Sequence, residues 1–402
     1  MNFVCLASAY WDEPMPTNKQ QIMRRLAARG HRVLYVDPGL SRPGLRRAAR
    51  APRRVWRWIT RPVPNLWRLE PLLPLRQVPA LKGLTWPLMA AVVGRWLARQ
   101  RWGDVILWIY LPEAVRVIDL IPHRLLVYHC VDDWRTFPQF ATRRAEIAAL
   151  EDALTRRADL VITTAPALYE ARRSLNAHTI LQPNVGDYAH FTRAADLLPP
   201  PDLAGLPQPR LGFWGALDDY KFDRELVLAL ADACPNASIV LIGPAGVAIR
   251  GQPALALNRP NIHCLGQRPY EQLPAYAAGL DVCLIPYRQT EHTRGVFPIK
   301  FFEMLATGKP VVATALPSLA PFGDAIPLAR TTGEFVAAVQ AVLADPAAGR
   351  TQRLALAAQH TWEQRVDELL TCVAAALQTH PAREPLRRAR DCLTGKAHLG
   401  DE

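Results

Sequence analysis

The apolar positions of the first forty residues change period twice. A continuous apolar run over 2–8 (NFVCLAS) leads into a polar, proline-containing loop at 9–18, and residues 19–30 (KQQIMRRLAARG) then place Ile22, Met23, Leu26 and Ala27 at helical spacing before Gly30. A second apolar run, 31–38 (HRVLYVDP), completes a βαβ unit. After a long basic interruption the alternation resumes, with runs at 104–111 (DVILWIYL) and 124–131 (RLLVYHCV), helical spacing over about 143–157 and a further run at 160–165 (LVITTA). Alternating strands and helices of this kind predict a parallel, doubly wound α/β sheet.

Residues 191–209 read FTRAADLLPPPDLAGLPQP, and prolines at this density cannot join a central strand, so a domain boundary is placed here. From Arg210 the cycle restarts as strand RLGFWG, loop ALDDYKFD, helix RELVLALADAC and strand SIVLIGP. It continues through a short strand near NIHCLG, helix EQLPAYAAG, strand DVCLIPY, helix IKFFEMLATG and strand PVVATA. The pattern predicts two Rossmann-like domains, 1–191 and 209–378, with a linker at 192–208. An amphipathic final helix over about 362–377 is expected to cross back to the first domain, ahead of a polar tail at 379–402.

Composition agrees with a globular chain: of 402 residues, 50% are hydrophobic and 21% charged. The formal charge of +12 is local, because residues 42–61 alone hold eight arginines and no acid. Seven cysteines, none in a CxxC pair, argue against a zinc or disulfide framework and for a reducing cytosol. Met1-Asn2 enters a short strand without a signal-peptide pattern. The longest apolar stretch, 83–94 (GLTWPLMAAVVG), contains Pro87 and is shorter than the roughly 20 residues of a spanning helix. The expected location is therefore cytoplasmic.

The densest chemistry lies at 291–312. Strand DVCLIPY feeds a loop with Thr293, Arg294 and Gly295, and Pro298 stands where a first helical turn begins. Helix N–H groups and dipole at that point suit an anionic phosphate, to which Arg294 and Lys300 add positive charge for the pyrophosphate of a nucleotide sugar. Glu303 follows Lys300 by three residues, where its carboxylate can accept hydrogen bonds from two ribose hydroxyls. Gly308 and Pro310 end the helix. Gly212 and Gly215 sit in the loop after the first strand of the second half, where backbone can approach a phosphate or simply make a tight turn. Tyr287 either flanks the nucleotide or caps its strand.

The pattern P-x-K-x-x-E-x-x-A-x-G-K-P-V-V is met at Pro298, Lys300, Glu303, Ala306, Gly308, Lys309, Pro310, Val311 and Val312. Here the chain resembles the GT-B glycosyltransferases of the group 1 or family 4 kind, including related glucuronosyltransferase and teichuronic-acid-type enzymes. PNVGDYAHF at 183–191, GFWGALDD at 212–219 and TWEQRV at 361–366 extend the resemblance over nearly the whole chain. It implies a GT-B fold, two Rossmann-like domains facing across a cleft, and chemistry that needs no metal or other cofactor. The same resemblance calls for a glutamate eight residues before Glu303, where this chain has Gly295. Glu291 and Thr293 are the nearby residues that could take over its contact with the sugar.

Glycosyl transfer also needs an activated acceptor hydroxyl, and open parallel sheets bind ligands at the carboxyl ends of their strands. The run at 124–131 ends in VYHCVDDW, so Asp132 and Asp133 are the first candidates for a catalytic base and His129 the second, while either aspartate could instead cap the next helix. The loop at 9–18 presents Trp11, Asp12 and Glu13 on the acceptor side. Asp218-Asp219 does not form a D-x-D arrangement, and no metal ligand is assigned.

Within the interruption at about 42–103, Trp56, Trp58 and Trp67 are interleaved with arginine, which reads as a patch for an anionic membrane surface. A solvated basic face with tryptophan packed inward would have the same composition. Nucleic-acid binding is set aside, since no nucleic-acid-binding motif accompanies the charge. The leading expectation is transfer of a sugar from a nucleotide-diphosphate sugar to a lipid-linked saccharide acceptor in cell-surface polysaccharide synthesis, by an enzyme peripheral to the inner face of the membrane. A nucleotide-sugar 2-epimerase on the same fold and an inactive membrane-attached scaffold stand as alternatives.

Overall fold

The computed structural model describes residues 1–38, 59–70, 85–244 and 257–379. Fourteen strands among them form two sheets. The first contains β1 (Asn2–Leu6), β2 (Arg32–Val36), β3 (Ile59–Val63), β4 (Leu66–Leu69), β5 (Val105–Ile109), β6 (Leu125–Cys130), β7 (Leu160–Thr163) and β8 (Thr179–Leu181). The second contains β9 (Arg210–Trp214), β10 (Ser238–Ile242), β11 (Ile262–Gly266), β12 (Val282–Ile285), β13 (Val311–Thr314) and β14 (Leu328–Ala329). Central strands such as VILWI in β5 and VCLI in β12 are buried at every position. That burial on both faces explains why their sequences are unbroken apolar runs rather than alternating ones.

Strand order is β3-β4-β2-β1-β5-β6-β7-β8 in the first sheet and β11-β10-β9-β12-β13-β14 in the second. All pairings are parallel except β3 with β4, which are joined by a turn with Asn65 at φ 61°. In each sheet the chain starts in the middle, builds toward one edge and returns to build the other. Order therefore reverses between β1 and β5 and again between β9 and β12, and a crevice opens at the carboxyl ends of the strands at each reversal.

The basic interruption contributes to this frame. β4 lies parallel to β2 and extends the first sheet, and helix α2 (Thr85–Gln100) buries Met89, Ala90, Val93 and Leu97 against it. Trp67 is packed edge-on to Trp96 and Trp102, with the Arg61 guanidinium over its ring. Trp67 is thus occupied by packing within the domain. Trp56, Trp58 and the arginines from 42 to 57 lie outside the described residues, as does the tail from 380.

Two helices complete the first domain's core. Helix α1 (Asn18–Ala28), opened by a capping box between Thr17 and Gln20, buries Ile22, Met23 and Leu26. The last helix, α5 (Trp362–Thr379), buries Trp362, Val366, Leu369 and Val373 in the same cluster, although it follows the second sheet in sequence. Arg25 and Arg29 of α1 pair with Glu363 and Asp367 of α5. On the opposite face of the sheet, α3 (Arg144–Arg157) brings Glu151 to the Arg172 guanidinium in a fully buried ion pair, and Glu151 also accepts from the Tyr128 hydroxyl. The second domain's α4 (Lys300–Ala306) is closed by Gly308 at φ 73°. The six cysteines in the described residues are all free thiols.

Candidate active site

The two crevices face each other across a cleft of about 420 Å³ lined by residues of both domains. From the first domain come Glu13 of the loop before α1, Lys19 on the first turn of α1, Asp132 after β6, and Phe137; from the second come Gly215, Lys221, Tyr287, His292, Lys300 and Glu303.

Lys300, on the first turn of α4, donates from Nζ to the Tyr287 hydroxyl at 2.9 Å and lies over the rings of Phe213 and Tyr287. Its aliphatic stem rests on Gly215, where a Cβ would come within 2.7 Å of Lys300 Cε. Gly215 also has φ 144°, so the position excludes a side chain on both counts. Gly243 is tighter still: at φ 155°, its Cβ would stand 1.9 Å from the Gly215 carbonyl oxygen. The turns after β9 and β10 therefore stack backbone on backbone beneath Lys300.

Lys221 is a second cation in the same wall, paired with Asp218 at 3.1 Å. Burial alone would lower its pKa, but Tyr287, Tyr220 and Asp218 around it raise it, so it stays charged. Burial would likewise raise the Tyr287 phenol, yet Lys300 and Lys221 hold it below its usual value. Two ammonium groups thus converge on one hydroxyl, in a wall that suits an anion. Lys221 was not picked out from the sequence because a lysine in a loop has no periodicity to mark it; its place six residues after Gly215 is a signal only once the strand ends are placed.

Glu303, one turn after Lys300, is buried, and both its oxygens are engaged: Tyr270 Oη donates to Oε1 at 2.9 Å and Trp214 Nε1 to Oε2 at 3.3 Å. Burial pushes its pKa up to about 7, against the opposing pull of Tyr270, Trp214 and Lys300. The helix carrying it is in backbone contact with the crossing between the sheets, where a Cβ on Gly186 would lie 2.8 Å from the Glu303 amide nitrogen. Asn184 donates to the Phe297 carbonyl at 2.9 Å and accepts from Asn18 at 3.1 Å, joining the crossing, the loop before α4 and α1.

The remaining residues singled out from sequence fall into different places. Thr293 is buried in a capping box with Thr290, Arg294 is exposed and does not line the cleft, and Glu291 is exposed and pairs with Arg144 at 2.7 Å. The reason is geometric: on the short helix Glu291–Arg294 successive side chains turn by about 100°, and the one directed to the cleft is His292. Gly295 lies against the first domain, with Leu168 Cδ2 at 3.3 Å and Asp133 Cβ at 3.6 Å from a built Cβ.

Of the VYHCVDDW candidates, Asp132 lines the cleft. Asp133 turns away: it caps the next short helix, accepts from Arg135 N at 3.1 Å, and takes both Nε and Nη2 of Arg135 at 2.8 Å. Burial works to raise its pKa, but these bonds outweigh it and hold the carboxyl below its usual range. His129 projects from β6 into the domain interior, stacked on Tyr110 at 5.0 Å, and burial together with Lys19 and Arg365 pushes its pKa well down. It is too deep to meet a hydroxyl in the cleft. Trp11 and Glu13 line an adjoining hollow of about 620 Å³ beside Tyr270, and Glu13 borders the cleft as well. Asp12 lines neither; it pairs with Arg68 at 3.0 Å.

Residues 223–371 match the family model described as Glycosyl transferase-like. Over 226 residues, 53% of this chain, the sequence is 29% identical to TuaH of Bacillus subtilis (strain 168), whose name assigns it to teichuronic acid biosynthesis as a glycosyltransferase; the match spans 56% of that protein, about half its length. Among solved structures, sucrose-phosphate synthase from Thermosynechococcus elongatus superposes with a TM-score of 0.69 at 17% identity, covering 94% of this chain and 99% of that one. Anabaena Alr3699/HepE in complex with UDP-glucose superposes with a TM-score of 0.61 at 18% identity, covering 92% and 99%. Identities this low establish the shared fold.

Proposed function

We propose that this chain is a GT-B glycosyltransferase of the group 1 kind, which moves a sugar from a nucleotide-diphosphate sugar to a saccharide acceptor. The observation that carries the reading is the placement, in one cleft wall, of a buried carboxylate at Glu303 one helical turn from Lys300, with Lys221 beside it. In this reading the two lysines hold the diphosphate and neutralise the charge it gains as it leaves, and Glu303 accepts hydrogen bonds from the ribose hydroxyls. The carboxylate facing them from the first domain is Asp132, placed to take the proton of the acceptor hydroxyl. Supporting the donor class, the related fold of Alr3699/HepE was solved with UDP-glucose.

The acceptor in this proposal is a lipid-linked saccharide, the product a cell-surface polysaccharide, and the enzyme works at the inner membrane face. Support comes from the teichuronic acid assignment in the name of TuaH and from the arginines and tryptophans between 42 and 61. No helix among the described residues is long and apolar enough to cross a membrane, so attachment through the surface is the mode proposed. The deciding experiment is a thermal-shift screen against UDP-, GDP- and dTDP-sugars, repeated with Lys300→Ala. Stabilisation of the wild type by one nucleotide class, lost in the variant, supports the donor site; no stabilisation by any of them overturns it.

A further inference from the structure

His292 belongs to neither the phosphate wall nor the Glu303 pocket. It is 6% exposed, stands on the second-domain helix Glu291–Arg294, and lines the cleft. Its ring meets the edge of Phe137 from the first domain at 4.8 Å and of Tyr220 from the second at 4.9 Å. Nδ1 is 2.8 Å from the Thr136 hydroxyl oxygen of the first domain.

That contact fixes the tautomer. Thr136 has one hydroxyl proton, and its oxygen lies 2.6 Å from the Asp133 carbonyl, which can only accept. The proton is therefore spent on Asp133, and toward His292 the Thr136 oxygen accepts. Nδ1 must carry the hydrogen, so in the neutral ring the lone pair is on Nε2. No described protein group bonds Nε2. Burial lowers the pKa of the ring, Lys221 adds to that, and Asp132, Asp133 and Asp218 pull the other way, with the lowering dominant. At neutral pH the cleft thus contains a fixed, uncharged hydrogen-bond acceptor that has no partner.

An acceptor held in this way is of use to a ligand that brings a hydroxyl. Glu291 and Thr293, on either side in sequence, point elsewhere, and Gly295 has no side chain, so His292 alone among residues 291–295 presents a polar group to the cleft. We propose that His292 Nε2 accepts a hydrogen bond from a carbohydrate hydroxyl bound in the cleft, with Thr136 as its positioning residue. The proposal rests on the glycosyl-transfer reading. It deepens that reading by naming a specificity-determining residue built from both domains. The hydroxyl belongs either to the transferred sugar or to the acceptor, and the experiment separates the two.

Calorimetry first identifies the nucleoside diphosphate among UDP, GDP and dTDP that binds the full chain; failure at this step would fall on the donor-site reading and leave His292 out of account. Affinities for that diphosphate and its sugar are then compared in wild type, His292→Phe, His292→Gln and Thr136→Val. In His292→Phe, unchanged diphosphate binding with about tenfold weaker binding of the nucleotide sugar assigns the hydroxyl to the transferred sugar. Unchanged binding of both, with kcat/KM for transfer down by about tenfold or more, assigns it to the acceptor. His292→Gln, which returns an acceptor near the Nε2 position, should restore part of the affected quantity, and Thr136→Val should lose part of it. Acid should act like the Phe variant in wild type and have no such effect in His292→Gln. The ratio of sugar to diphosphate affinity is used, so that titration of Glu303 cancels. The proposal is overturned if His292→Phe keeps nucleotide-sugar affinity and transfer within twofold of wild type. It is equally overturned if the free diphosphate is lost in step with the sugar in both His292→Phe and the Gln variant, since that marks a structural role.

Discussion

The Tyr270 hydroxyl donates to the Glu303 carboxylate at 2.9 Å and, on its other side, is 3.4 Å from the Gln21 amide of α1. A buried acid of the second domain is therefore steadied by a phenol in contact with the first.

Ionisation of Glu303 should govern nucleotide affinity. With its pKa pushed up to about 7, the carboxyl is largely protonated below that value, and the ionised form, accepting through both oxygens, is the stronger partner for two ribose hydroxyls. Binding should favour ionisation and release protons, so affinity rises as pH increases through about 7. Stability of the unliganded protein should run the opposite way. The folded-state pKa lies above the unfolded one, so this group's contribution is full below about 4.5 and lost as pH climbs through about 7. Tyr270→Phe removes a bond to the ionised form and should move the affinity midpoint upward. Titration calorimetry in buffers of different ionisation enthalpy measures the proton count; absence of proton release near pH 7 would count against the role of Glu303.

Lys300→Ala should weaken nucleoside diphosphate binding by about 2–3 kcal/mol, the range of a charge-assisted hydrogen bond, without a matching loss in melting temperature. Gly215→Ala should hurt the same affinity from the other side, because its Cβ would meet the Lys300 stem at 2.7 Å in a backbone conformation with φ 144°. Calorimetry alongside thermal melts separates the two effects.

The adjacent aspartates should behave differently. Asp132→Asn is expected to cut transfer by about 10²- to 10⁴-fold with donor affinity kept, as for loss of a general base. Asp133→Asn keeps an oxygen to cap the short helix and should chiefly cost stability through the loss of its bidentate Arg135 pair. Single-turnover rates and denaturant melts on the two variants would decide between them, and the reverse assignment would show that the cleft is used otherwise.

Membrane attachment has its own assay. Replacing the arginines between 42 and 61 by glutamine should abolish co-sedimentation with anionic vesicles at moderate salt, at about 1 kcal/mol per residue near the surface, while leaving nucleotide binding intact. Unchanged sedimentation would dismiss the surface patch.

Much of this molecule was legible in its sequence, for a physical reason. Doubly wound sheets are buried on both faces, so β5 and β12 announce themselves as apolar runs, and Gly308 marks the end of α4 because only glycine takes φ 73° cheaply. Lys300 and Glu303 were legible through their spacing on one helix. Lys221, His292 and Tyr270 were not, since their proximity arises from strand ends and domain docking with no local period. Neighbouring residues also part company at loop ends: Asp132 enters the cleft while Asp133 folds back onto Arg135, and Thr293 and Arg294 rotate out of line with His292. The arginine-rich interruption is ambiguous by composition, because charge and tryptophan look alike whether they face a bilayer or, as Trp67 does, pack on Trp96 and Trp102.

The contact of Gly186 with the backbone of α4 has a mechanical side. The chain passes between the two sheets here, and that crossing bears directly on the turn that holds Glu303. The crossing and the turn carrying Glu303 are thus packed as one unit. A side chain at 186 would therefore press on the crossing and on the backbone of α4 at Glu303 together.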